Sequence, residues 1–168
     1  MQFQEQGTVA NQRYTVSPRT LSFVLCEGAL LLLRGAPAKR LWANQLNGLG
    51  GHIEPGESPR QSALREIREE AGLTLQQLDL RALVHVSGHE GHPGVMLFVF
   101  LGRVAGRATQ PSPEGQLEWH PLDALPWDQM VADLPHLLPR LLGEERGDVL
   151  YGCYTADASG EMRYHLEN

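Results

Sequence analysis

Residues 51–73 read GHIEPGESPRQSALREIREEAGL. The second half of this stretch carries its own start and stop signals. Ser58 can cap open backbone N–H groups, Pro59 suits a first helical position, and Gln61 completes a capping box. Ala63, Ile67 and Ala71 repeat every four residues and supply a stripe to bury. Gly72 is the natural stop, because glycine accepts the left-handed conformation just past a helix end. On a helix phased this way, Glu66, Glu69 and Glu70 stand at i, i+3 and i+4 and share a face. Like charges at i,i+4 cost about 0.2–0.5 kcal/mol per pair. Arg65 relieves part of that repulsion, and a hard divalent cation, which prefers oxygen ligands, relieves more. Gly50 and Gly51 let the backbone turn sharply against this helix, so that a carbonyl can join a metal shell. Glu57, just before the cap, can fold back onto Arg65. Taken alone, three glutamates at this spacing also describe a solvated acidic face.

Outward from the helix, short apolar runs alternate with turns. Thr20–Cys26 and Ala29–Arg34 meet across Glu27-Gly28 and read as a β-hairpin. Residues 35–45 read as a loop, and Gln45–Leu49 as a brief extended piece. Leu80–Ser87 and Val95–Val104 read as strands, with a polar loop containing His89 and His92 between them. Residues 105–116 are rich in Gly and Pro and read as a loop, followed by a short strand over Glu118–Leu122. Leu134–Glu145 reads as a helix in which Pro139 should start or kink a turn. Val149–Thr155 and Glu161–Leu166 close the chain as a hairpin. Residues 1–18 are polar and are expected to form an N-terminal arm or edge segment, with the domain proper over 19–168. Interleaved strands and helices point to an α/β or α+β domain.

Fourteen Lys and Arg against twenty Asp and Glu give a net charge of -6, which argues against a protein that tracks a nucleic acid polymer. Single nucleotides, held through a divalent metal, remain compatible. The longest apolar run, Val95–Leu101, has seven residues, far short of the ~20 that a membrane span needs. The polar N-terminus has no signal-peptide core, and two cysteines make no disulfide framework, so a cytoplasmic location is expected. A homodimer is the default oligomer for such a chain.

The complete pattern of Gly51, Glu57, Arg65, Glu66, Glu69, Glu70 and Gly72, with aliphatic residues at Ile67 and Leu73, resembles the signature of the Nudix hydrolases at every defined position. Seven fixed identities, each at several per cent background, make a chance match roughly one in a hundred million per start position. The resemblance implies a Nudix fold, a mixed β-sheet sandwiched between α-helices. It implies cleavage of a nucleoside diphosphate linkage with Mg²⁺ or Mn²⁺ and an attacking water. On this chain it makes Glu66, Glu69, Glu70 and the Gly50 carbonyl metal ligands, with Glu66 helping to deprotonate the water. Arg65 and Glu57 become an orienting pair. A further carboxylate from outside the motif is expected from Glu114, with Glu118 as the second choice.

Around the motif, Thr20 opening the first strand, Asn47-Gly-Leu-Gly-Gly51, Pro126-Trp-Asp-Gln-Met130, Asp133 and Leu137-Leu-Pro139 follow an order similar to that of the MutT-like 8-oxo-dGTP diphosphatases, and this resemblance implies substrate-binding roles for Asn47, Asp133, Thr20 and Gly51. Arg34, at a strand end, is expected either to reach a phosphate or to play an ordinary structural part. Where the animal enzymes of that group have Trp-Pro-Asp-Asp, this chain has Val131-Ala132-Asp133-Leu134. Trp42, Trp119 and Trp127 read as core or rim packing rather than base platforms, and His89 and His92 as a polar loop rather than a zinc site. The leading expectation is hydrolysis of an oxidised or ordinary purine nucleoside triphosphate to the monophosphate and pyrophosphate. Hydrolysis of ADP-ribose, a nucleotide sugar or a dinucleoside polyphosphate is the alternative, and a nucleotide sensor without turnover is the third reading.

Overall fold

A computed structural model of the chain describes residues 14–88, 92–143, 148–157 and 159–167. The first strand, β1 (Val16–Cys26), turns into β2 (Ala29–Gly35) with Cys26 opposite Ala29. Glu27 and Gly28 both have positive φ, 46° and 74°, as a two-residue turn between right-twisted strands requires. Next come β3 (Leu46–Asn47), α1 (Pro59–Ala71), β4 (Leu78–Val86), β5 (Gly94–Arg103) and β6 (Gly115–Pro121). Two 3₁₀ turns, α2 (Leu134–Leu142), β7 (Leu150–Ala156) and β8 (Met162–Glu167) complete the described chain.

The strands form one sheet in the order β3-β2-β1-β5-β4-β7-β8, with β6 on the other edge of β2. β1 runs parallel to β5 and β4 parallel to β7, while the other pairs are antiparallel, so the sheet is mixed. Its strands are apolar on both faces because a helix covers each. Successive residues Leu30, Leu31, Leu32 and Leu33 of β2 alternate between two cores. Leu31 and Leu33 join Ala63, Ile67 and Ala71 of α1, whereas Leu30 and Leu32 join Leu134, Leu137, Leu138 and Leu141 of α2. This is the sandwich that the sequence led us to expect.

Several boundaries differ from the expectation. β1 begins at Val16, so residues 16–18, assigned to the arm, belong to the sheet and pair with Gly94, Val95 and Met96. The long β5 offers them a partner that the local sequence does not reveal. β4 begins at Leu78 and carries an irregularity between Leu80 and Ala82, which broke its alternation. β6 starts at Gly115, inside the expected loop, because it pairs with β2 along its whole length. α2 runs through Pro139. A proline inside a helix costs about 3 kcal/mol. Burial of the four leucines, at about 1.5–3 kcal/mol each, outweighs it. Residues 1–13 of the N-terminal arm, His89 in its loop, and the end expected for α2 at Glu145 lie outside the described residues. Among the described residues, no helix is long and apolar enough to cross a membrane.

Candidate active site

The cap residues set the phase of α1. The Gln61 N–H donates to Ser58 Oγ at 3.3 Å and the Ser58 N–H to Gln61 Oε1 at 2.8 Å, closing the capping box. At the other end Gly72 sits at φ 70° and its N–H reaches the Arg68 carbonyl at 2.9 Å. Between these caps the glutamates receive unequal burial. Glu70 follows Ala63 and Ile67 on the buried stripe and is 5% exposed. The Glu66 side chain is 15% exposed and that of Glu69 59%. The helix thus buries one carboxylate, mostly covers a second and leaves Glu69 exposed, outside the lining of either adjoining cleft.

The segment 48–53 lies against β1. The Thr20 N–H reaches the Gly51 carbonyl at 2.9 Å, the Ser22 N–H reaches Leu49 at 2.6 Å, and the Ile53 N–H reaches Pro18 at 3.2 Å. Gly50, at φ 150°, lies so close to β1 that a Cβ would stand 2.1 Å from the Thr20 carbonyl oxygen. Its N–H donates to Glu70 Oε2 at 2.8 Å. A Cβ on Gly51 would stand 2.4 Å from Glu66 Oε1, so this glycine makes room for that carboxylate. Burial pushes the Glu70 carboxyl up to about 8; the Gly50 N–H opposes this, and the negative charges of Glu66 and Glu114 add to it.

Arg65 ties the acidic elements together. Its Nε and Nη2 grip Glu57 at 2.7 and 3.0 Å, and its Nη1 reaches Glu66 Oε1 at 2.8 Å and Glu69 Oε2 at 3.2 Å. Nη2 also donates to the His52 carbonyl at 3.1 Å, which anchors the loop. This guanidinium holds the Glu57 carboxyl down at about 2.

Two adjoining clefts open along this surface. The first, about 280 Å³, is polar and is lined by Gly50, Gly51, Glu54, Glu66, Glu70 and Glu114, with the cations Arg19 and Lys39 beside them. The second, about 430 Å³, is lined by apolar side chains together with Thr20, Asn47, Asp133, Tyr154 and Tyr164. Asn47, Gly48, Gly50, Arg19, Gln45 and Trp42 border both. Asn47 Oδ1 accepts from the Gly48 N–H at 2.8 Å, which leaves its amide hydrogens without a partner among the described residues. Burial raises the carboxyl of Asp133, with the charge of His136 opposing.

Glu114 and Glu118 part company here. Glu114 lines the polar cleft and pairs with Lys39. Glu118 points from β6 into a fork with Arg34, Nε–Oε1 2.6 Å and Nη2–Oε2 3.0 Å, and is 3.1 Å from His120 Nε2. Arg34 also donates to the Asn44 carbonyl at 3.0 Å and to Gln129 Oε1 at 2.9 Å. Neither Arg34 nor Glu118 lines either cleft. Trp119 packs beside the α1 core with its Nε1 donating to Arg107, Trp127 is exposed, and Trp42 stands at the rim of both clefts.

Sequence reasoning missed Arg19, Lys39, Gln45, Tyr154 and Tyr164. The two tyrosines had a usable signal, since they flank the closing turn and face each other across β7 and β8. Arg19 had none, because it lay at the edge of an expected arm.

Among the described residues, no three His, Cys, Asp or Glu side chains are gathered closely enough to hold a metal ion as they stand. Arg65 draws Glu66 and Glu69 to itself, and Gly50 holds Glu70. The donor set nevertheless suits a hard dication. Its members are carboxylates, and Glu66, Glu70 and Glu114 share one cleft in which their mutual repulsion hinders ionisation of the buried one.

Comparison with known proteins adds an independent line. The model of the NUDIX domain family matches residues 17–141. The oxidized purine nucleoside triphosphate hydrolase of Mus musculus is 31% identical over 134 residues, spanning 76% of this chain and 80% of that protein. The uncharacterized Nudix hydrolase YvcI of Bacillus subtilis is 28% identical over 158 residues, spanning 91% of this chain and 96% of that protein. Among solved structures, a mutator MutT protein from Bacillus halodurans superposes with a TM-score of 0.73 at 25% identity, covering 90% of this chain and 98% of that one.

Proposed function

The chain belongs to the NUDIX domain family, and from that premise we propose that it is a hydrolase of purine nucleoside triphosphates, oxidised or ordinary, releasing the monophosphate and pyrophosphate. One observation carries the reading. A carboxylate-lined cleft sized for phosphates runs directly into an apolar cleft bordered by Asn47, Thr20 and Asp133. A nucleotide offers that same sequence of chemistries, an anionic chain and then a flat, edge-polar base. The mouse relative's activity, given by its name, supports the same direction.

Glu66, Glu69, Glu70 and Glu114, with the Gly50 carbonyl, are the groups proposed to hold Mg²⁺ or Mn²⁺. Such an ion, when bound, neutralises phosphate oxygens and acidifies water. The chain's own residues do the positioning. Arg65, braced by Glu57, fixes Glu66 and Glu69 relative to the loop 50–53. Glu66, at the cleft wall, takes the proton of a water that attacks one phosphorus of the α–β anhydride; the bond from that phosphorus to the bridging oxygen breaks, and the two halves leave as monophosphate and pyrophosphate, one carrying the bridging oxygen and the other the water oxygen. Arg19 and Lys39 supply positive charge along the phosphate path. Asn47 offers amide donors to the base edge.

The test is a product-resolved screen with Mg²⁺ over 8-oxo-dGTP, ordinary dNTPs and NTPs, ADP-ribose and a diadenosine polyphosphate. Monophosphate and pyrophosphate should appear from a purine triphosphate, with kcat falling at least 100-fold in Glu69→Gln and Glu70→Gln, of the order that loss of a charge-stabilising group costs. Faster cleavage of ADP-ribose or the dinucleotide would overturn the triphosphate reading, and binding without turnover would favour a sensor.

A further inference from the structure

Trp42 and Asn44, in the loop between β2 and β3, both have positive φ, 57° and 61°. A bulky side chain on left-handed backbone is strained, and such backbone persists only where its neighbours enforce it. Here they do. The Asn44 N–H donates to the Gly35 carbonyl at 2.9 Å, the Gly35 N–H to the Gln45 carbonyl at 3.0 Å, and the Gln45 N–H to the Trp42 carbonyl at 3.1 Å. A Cβ on Gly35 would stand 2.5 Å from that Trp42 oxygen, so a glycine at the end of β2 lets the loop close. Arg34, which lines neither cleft, donates to the Asn44 carbonyl at 3.0 Å while Glu118 grips its other nitrogens. The Arg34–Glu118 fork is therefore a brace for this loop. What it holds in place is a tryptophan that is 44% exposed and joins neither core. Its indole makes no hydrogen bond or ring contact among the described residues. Trp119 packs beside α1 and Trp127 lines neither cleft, so of the three tryptophans only Trp42 borders both.

We propose that Trp42 is a substrate-binding residue whose indole stacks on the face of the nucleotide base. The inference rests on the reading of the apolar cleft as the base-binding half of the site. An indole has two apolar faces and no formal charge, so it complements a flat neutral ring and not a phosphate. The place fits that partner. The apolar cleft is walled by Val86, Val95, Leu97 and Val131, and Trp42 stands where this cleft meets the polar one. A nucleotide spanning both clefts has to pass it. The exposure of Trp42 leaves it reachable in the ligand-free protein, and its braced backbone loses little freedom when a base arrives. Stacking tolerates any base, because every base has a π-face. Trp42 thus supplies affinity and leaves discrimination among bases to polar groups such as Asn47.

The experiment titrates purine nucleoside 5′-monophosphates and ribose 5-phosphate into the parent, Trp42→Leu, Trp42→Phe and, as control, Trp127→Leu, which alters an exposed tryptophan outside both clefts. By calorimetry, Trp42→Leu should weaken purine monophosphate binding about tenfold, while Trp42→Phe, which keeps an aromatic face, should stay within about threefold of the parent. Ribose 5-phosphate, which lacks the base, should not distinguish parent from Trp42→Leu. The purine monophosphate should also quench the tryptophan emission of the parent and of Trp127→Leu, and the quench should vanish in both Trp42 variants. Melting temperatures of the ligand-free variants should match the parent, since the altered side chain belongs to neither core. Should Trp42→Leu melt lower, Trp42→Phe still assigns the quench on an aromatic-preserving background. Equal purine binding in parent and Trp42→Leu, no purine binding by the parent, or an equal loss for ribose 5-phosphate would overturn the inference. Failure of the proposed reaction is read separately. If no triphosphate in the panel is hydrolysed but Trp42→Leu still weakens purine binding, the reaction falls and the role of Trp42 stands.

Discussion

Glu70 holds its carboxylate at 5% exposure with a single backbone N–H, that of Gly50, as hydrogen-bond donor. One donor does not replace the water that a carboxylate loses on burial, and the result is a carboxyl pushed up to about 8. The sign of the stability effect follows. With the folded value above the unfolded one, the stabilising contribution is complete below about 4.5 and is lost as pH rises through about 8. Without metal, the parent should therefore lose stability relative to Glu70→Gln between pH 5 and 8.5, by a few kcal/mol in order of magnitude. Urea unfolding of both proteins across that range measures it. Mg²⁺ binding to the parent should release protons near pH 7 and strengthen toward pH 8.5, which calorimetry in buffers of different ionisation enthalpy reads directly. The motif marked Glu70 as one acid among three. Only the packed helix shows it as the buried one.

At the scale of elements, α1 is a rigid rail whose ends are both fixed. Removing the N-terminal cap with Ser58→Ala should cost about 1 kcal/mol in chemical denaturation, because the Gln61 backbone N–H loses its acceptor, Ser58 Oγ, while the bond from the residue-58 N–H to Gln61 Oε1 can persist. The helix was legible to the residue because Ser58, Pro59, Gln61 and Gly72 are local signals, each acting within a few residues of itself. The strands were legible as existing but not in extent. Val16, Leu78 and Gly115 begin their strands earlier than local pattern shows, because each is recruited by a partner distant in sequence: Gly94, Gly102 and Gly35. Pro139 inside α2 is the same lesson for a helix, where tertiary burial of leucines overrides a local breaker.

At the scale of the whole molecule, the sheet separates two apolar cores and the clefts lie where the loop 48–53 crosses β1 between them. Leu138, fully buried on the inner face of α2 and with no place in either cleft, tests the independence of stability and chemistry. Leu138→Ala should cost about 2–5 kcal/mol in urea unfolding while leaving kcat at low temperature within a few-fold of the parent. A collapse of kcat in a protein still folded would instead couple α2 to the site.

The sequence by itself determined the helix that carries the glutamates, its caps, the hairpin ahead of it, the family resemblance, and the pairing of Arg65 with Glu57. All of these depend on residues within about two dozen positions of each other, where spacing translates directly into geometry. The tertiary structure alone decided that Glu114 faces the polar cleft while Glu118 is held by Arg34, because β6 inserts beside β2 across more than eighty residues of chain. It also decided that Tyr154, Tyr164 and Asp133 share a cleft with Asn47. Strand pairing and helix packing brought those side chains together, and no local pattern records a contact whose two halves lie so far apart in the chain.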